Sequence, residues 1–111
     1  MRSMRLWRSL SLNHVLSEYM ERALKRAPEI EEIWLFGSYV NGEPHDDSDI
    51  DLAIISLQFA ADYAAAVAHV RMPVWEMEQG ANIEVHGFTR EDFKSMVLAQ
   101  EIQQTGRCLY S

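Results

Sequence analysis

Asp49 and Asp51 flank Ile50 in an apolar run, and ten residues before them stands the pair Gly37-Ser38. In a strand, side chains two apart share a face. The two carboxylates then converge on one side while Ile50 and Leu52 turn into the core. Carboxylates aimed at one spot repel unless a cation sits between them. Oxygen ligands of this kind favour magnesium, which usually shares its shell with substrate phosphates. Gly37 closes the preceding apolar run, and a residue without Cβ lets the backbone approach a ligand closely. Ser38 adds a hydroxyl and an N–H, and a short helix starting there would turn free N–H groups toward a phosphate. The pattern predicts a nucleotide with its triphosphate end on Gly37 and Ser38, and with Asp49 and Asp51 holding magnesium against it. The ion would orient the α-phosphate and stabilise charge as the bond to pyrophosphate breaks.

A third acid would complete such a site, bridging to a second metal and acting as base toward the attacking hydroxyl. Glu84 is the candidate. It stands between Ile83 and Val85 and so points away from both, toward either a solvent face or a functional cleft. His86 lies two residues on, on the same strand face, where it can border the cleft. Arg71, Arg90 and Arg107 are the candidate cations for phosphate, with no sequence ground to choose among them. Tyr39 either lines the site or packs, and His45 in the intervening loop is ordinarily a solvated residue. His14 and His69 read as helix-surface or edge residues, and no His/Cys cluster has zinc-ligand spacing. Trp7, Trp34 and Trp75 read as core or interface anchors.

The elements that must position these residues follow from periodicity. Residues 12–27 form an amphipathic helix with Pro28 just past its end. Residues 32–36 form a strand stopped by Gly37, then a helical turn ends near Asn41-Gly42, and 43–48 is loop. Residues 49–55 are the second strand. The alanine-rich stretch 59–72 is a helix ended by Met72-Pro73, and 74–81 is ambiguous. Residues 82–88 are a third strand. Thr89 caps a helix running to about Gln104, with Asp92 at its third position. Gly106 is its C-cap, and 108–110 adds a last short strand. This order is that of an α/β domain, a small mixed sheet flanked by helices.

Composition bounds the function. The chain has 111 residues, 48% of them hydrophobic, which suits one domain over 1–111 with one modest core. Residues 1–10 read as a flexible N-terminal tail. A formal charge of −7 argues against general nucleic-acid binding and fits a metal mediating contact with an anionic nucleotide. Six basic residues fall in the first 26, where a solvated helix face is the ordinary explanation. Cys108 is alone, which excludes an intrachain disulfide and suits a reducing cytosol. No apolar run approaches the ~18 residues of a spanning helix, and the N-terminus lacks the apolar core of a signal peptide. The expectation is a cytoplasmic protein with no membrane association.

Gly-Ser, ten residues, Asp-x-Asp resembles the signature of the nucleotidyltransferase superfold that includes DNA polymerase β and kanamycin nucleotidyltransferase. The short length and the segment Ile33 to Leu52 resemble its minimal nucleotidyltransferase (MNT) family. Ile83-Glu84-Val85 falls where that family carries its third acid, with glutamate where aspartate is frequent. Phe88-Thr89-x-Glu91-Asp92-Phe93 and Gly106-Arg107-Cys108-Leu109-Tyr110 are also similar to family segments. The resemblance implies a nucleotidyltransferase fold, ATP as substrate, two magnesium ions on Asp49, Asp51 and Glu84, and Gly37 and Ser38 binding the nucleotide. It further implies an antitoxin that transfers AMP to a tyrosine of a partner HEPN-domain toxin. Two other readings stay open. One is a non-catalytic antitoxin that neutralises its partner by binding. The other is a nucleotidyltransferase for a small molecule, which would call for an acceptor-binding region not evident in this chain.

Overall fold

A computed structural model describes residues 2–42, 49–77 and 82–111, with side chains from residue 12 onward apart from Asn41. The first helix, α1, spans Arg2–Arg26. It begins ten residues earlier than the apolar periodicity indicates and is braced on its exposed face by Arg22–Glu18 and Lys25–Glu21 pairs one turn apart. Strand β1 (Glu32–Phe36) leads through Gly37 into a single helical turn, α2 (Ser38–Asn41). Strand β2 (Ile50–Ile55) precedes two helices, α3 (Gln58–Ala61) and α4 (Tyr63–Glu76). Strand β3 (Ile83–Phe88), helices α5 (Arg90–Ser95) and α6 (Val97–Thr105), and strand β4 (Arg107–Tyr110) complete the chain.

The strands form one mixed sheet in the order β3-β2-β1-β4. β1 runs antiparallel to β2 and β4, and β2 runs parallel to β3. Alternation sends Ile33, Leu35, Ile50, Leu52, Ile54, Ile83 and Val85 to one face, where α1, α3 and α4 cover them. Tyr19 of α1 is fully buried there and donates its hydroxyl to the Val70 carbonyl at 2.8 Å. The other face carries Trp34, Phe36, Ala53, Ile55 and Phe88 under Phe93, Ala99 and Ile102 of α5 and α6.

Three further helix boundaries differ from the sequence expectation. The helix expected to stop at Met72 continues through Pro73 to Glu76. Val70, Pro73 and Val74 lie on one buried stripe, and burying each valine contributes ~1.5–3 kcal/mol, enough to offset a proline's ~3 kcal/mol penalty. The same stretch breaks earlier, at Asp62. That residue is extended, and its carboxylate accepts the Ala65 N–H at 3.1 Å, capping α4. The last helix breaks at extended Met96, a residue with good helix propensity, so the break has no local signal. Thr89 does cap α5, accepting from the Asp92 N–H at 3.1 Å. The loop 43–48, His45 within it, residues 78–81 and the Trp7 side chain lie outside the described residues.

Candidate active site

The sheet face under α5 and α6 is built in rows across three strands. Glu32, Ile55 and Phe88 form the first row, Trp34, Ala53 and His86 the second, and Phe36, Asp51 and Glu84 the third. The helices close over the first two rows. Phe93 lies 5.6 Å from Phe88 and 5.8 Å from Trp34, ring centre to ring centre. The third row lies at the open end of this face, with Asp51 half-buried and Glu84 exposed. One surface thus passes from a dry aromatic cluster to carboxylates within three residues of strand.

Each acid is placed by a different local device. Asp51 and Glu84 are register partners on parallel strands, so their side chains leave the sheet side by side. Asp49 is exposed and just precedes β2; its neighbour Ile50 donates its N–H to the Asn82 carbonyl at 2.6 Å, which ties that end to the start of β3. Gly37 has φ 82° and ψ −151°, a conformation essentially restricted to glycine. A Cβ there would sit 3.2 Å from Asp51 Cγ and closer still to Oδ2. The turn that follows is tight, with the Val40 N–H donating to the Gly37 carbonyl at 3.0 Å. The Gly37 turn and Asp51 are therefore packed against each other.

Asp51 has a second neighbour. His86 Nε2 lies 3.3 Å from Asp51 Oδ1, and the His86 ring meets Phe36 edge-on at 5.1 Å. Period-two reasoning puts His86 on the same face as Glu84, but its contact with Asp51 needs the β2–β3 register, which no local pattern carries. Tyr39 packs against the α1-side core. Of the candidate phosphate cations, Arg90 is engaged at the far end of the sheet by Glu31, at 3.0 Å, and by Glu32. Arg71 belongs to α4 on the opposite face, its Nε buried without a hydrogen-bond partner among the described residues. Arg107 is exposed and opens β4 opposite Leu35, at the same end as Gly37. Trp75 is 68% exposed, which removes it from the core.

The donor set suits magnesium. It consists of hard carboxylate oxygens, and magnesium binds through one or two carboxylates plus substrate phosphates rather than in an all-protein cage. Among the described residues no three His, Cys, Asp or Glu side chains, Asp49, Asp51 and Glu84 included, come together as a group able to hold a metal ion. Two shallow concavities, of about 650 and 390 Å³, are lined by residues such as Arg90 and Asp92 or Asp62 and His69, away from the acid row. No helix among the described residues is long and apolar enough to cross a membrane.

The family described as polymerase beta, nucleotidyltransferase matches residues 18–111, and the chain belongs to it. A crystal structure provisionally described as a nucleotidyltransferase superposes with a TM-score of 0.60 at 26% identity, over 85% of this chain and 96% of the other. Two toxin–antitoxin structures share the fold. One is a mutant of MntA-HpeT with two Asp-to-Glu substitutions two positions apart (TM-score 0.54, 22% identity, 83% of this chain and 70% of the other). The other contains AMP-PNP (TM-score 0.55, 24% identity, 84% and 71%). No curated protein sequence matches the chain.

Proposed function

We propose that this nucleotidyltransferase is a minimal antitoxin that transfers AMP from ATP to a hydroxyl, a tyrosine's, on a partner HEPN-domain toxin. The observation that carries the reading is the acid row, with Asp51 beside Glu84 and its carboxylate against the backbone of Gly37. The fold neighbours support it, one being a toxin–antitoxin pair altered at two aspartates and another a toxin–antitoxin bound to an ATP analogue. Glu84 of this row is exposed, where a partner can present the acceptor.

Gly37 and Ser38 bind the triphosphate, the glycine by close backbone approach and the serine through its hydroxyl and N–H. Asp49, Asp51 and Glu84 would hold magnesium, as two ions with the nucleotide in place, and the metal would supply charge neutralisation at the α-phosphate and at departing pyrophosphate. Glu84 is the base. The acceptor oxygen loses its proton to that carboxylate as it attacks the α-phosphorus, and the bond to the β-phosphate oxygen breaks. The product is a phosphodiester on the partner, which adds bulk and negative charge there.

The test is transfer of label from α-labelled ATP to a co-purified partner in the presence of magnesium. Label on the partner with the wild type, lost with Asp51→Asn, supports the reading. Partner neutralisation that survives Asp51→Asn would leave binding alone as the antitoxin's action.

A further inference from the structure

His86 is absorbed by neither the metal set nor the nucleotide turn, yet it touches the acid at the centre of the row. A carboxylate accepts hydrogen bonds, and in the tautomer with its proton on Nε2 His86 donates to Oδ1 across the 3.3 Å contact. The donor is itself held in place. Its ring packs edge-on against Phe36, which lies across β2 from it. Ala53, the register partner of His86 on β2, carries only a methyl group beside the ring. On the other side of the carboxylate, Oδ2 faces Gly37 so closely that no Cβ fits. Asp51 thereby has the His86 ring nitrogen against one oxygen and the Gly37 backbone close beside the other.

We propose that His86 is a positioning residue for Asp51, orienting the carboxylate so that its remaining lone pairs present to a divalent cation; this rests on the nucleotide-site reading above. A carboxylate free to rotate would have to be ordered at each binding event, whereas a hydrogen-bonded one is already oriented. Removing such outer partners typically lowers metal affinity about 10–100-fold. The role needs a donor at the position of Nε2, and a glutamine amide can supply one there. Phenylalanine keeps the ring against Phe36 and has no donor.

The experiment titrates Mn²⁺ by electron paramagnetic resonance in the presence of AMP-PNP, on wild type, His86→Phe, His86→Gln and Asp51→Asn. His86 is about one-third exposed at its side chain, so melting temperatures are expected to hold; His86→Leu, also without a donor, replaces the phenylalanine variant if that one fails to fold. The expected result is Mn²⁺ affinity at least about tenfold weaker in His86→Phe and close to wild type in His86→Gln. Unchanged affinity in His86→Phe overturns the proposal, and so does equal loss in both variants, which would make the ring and not the donor the requirement. Mn²⁺ bound by the wild type, lost in Asp51→Asn and unmoved in His86→Phe sinks this inference alone. No binding by the wild type sinks the nucleotide reading, and this inference with it.

Discussion

Gly37 and Asp51 occupy each other's space: the aspartate's Oδ2 stands where a side chain on residue 37 would begin. The glycine at the end of β1 is thus dictated by the acid in β2 as well as by its own backbone, which at φ 82° and ψ −151° is closed to other residues. The two halves of the sequence motif, read separately as a phosphate turn and a metal pair, are one packed unit.

Gly37→Ala should therefore damage stability and ligand binding together. Backbone strain of this kind costs about 1–3 kcal/mol, and relieving it would push Asp51 out of the row. Urea denaturation should show a lowered midpoint, and calorimetry with AMP-PNP and magnesium should show binding lost. A variant that folds like wild type and binds normally would contradict the packed-unit description.

Neutralising an acid should separate stability from ligation. Asp49 is exposed, so Asp49→Asn should leave the ligand-free melting temperature nearly unchanged. Wild type with magnesium and AMP-PNP at about a hundred times the dissociation constant should gain ~2.7 kcal/mol. The asparagine variants at 49 and 51 should gain little. Thermal melts with nucleotide alone, magnesium alone and both together measure the difference.

Tyr19 offers a test remote from the site. Its hydroxyl is buried and donates to Val70 on α4, so it links α1 to α4. Burial pushes its pKa well above the ordinary tyrosine value. Tyr19→Phe leaves the Val70 carbonyl without this donor and should cost about 1–3 kcal/mol. Nucleotide binding should be unaffected, which calorimetry on the variant would show.

The far end of the sheet should respond to acid. Burial alone would raise the pKa of Glu32, but hydrogen bonds from Trp34 Nε1, at 2.7 Å, and from Arg90, with the Arg90 charge, hold it below its ordinary value. The unfolded chain then binds the proton more readily than the folded one. The contribution is fully present above the ordinary glutamate pKa and is lost as pH falls through the folded value. Arg90 is 40% exposed, so screening keeps the effect small. Denaturation midpoints between about pH 3 and 6 should fall less steeply for Glu32→Gln than for wild type.

Most elements were legible because their signals are local. β-Branched and aromatic residues stopped by Gly37 marked β1, the spacing of apolar and acidic residues fitted β2 and β3, Thr89 announced α5, and the turn after Ser38 ended where Asn41-Gly42 put it. Pro73 misled because proline's penalty is a local quantity and the valine stripe that outweighs it is tertiary. Met96 gave no warning of the break it makes. Within the site, residue types and faces could be read, including Glu84 and His86. The row that sets Asp51 beside Glu84 could not, since it depends on which strands pair and in what register. Nor could the contact of His86 with Asp51, which depends on the same register.

Parallel pairing of β2 with β3 also fixes when in the chain's life the site can exist. β1 and β2 can meet as neighbours along the polypeptide, so Gly37 and Asp51 come together early. Glu84 and His86 reach Asp51 only after a crossover through two helices, with 35 residues separating His86 from Asp51. Long-range pairings of this kind form late in folding. A nascent chain that ends before β3 would have Asp51 packed against Gly37 but without Glu84 and His86 beside it.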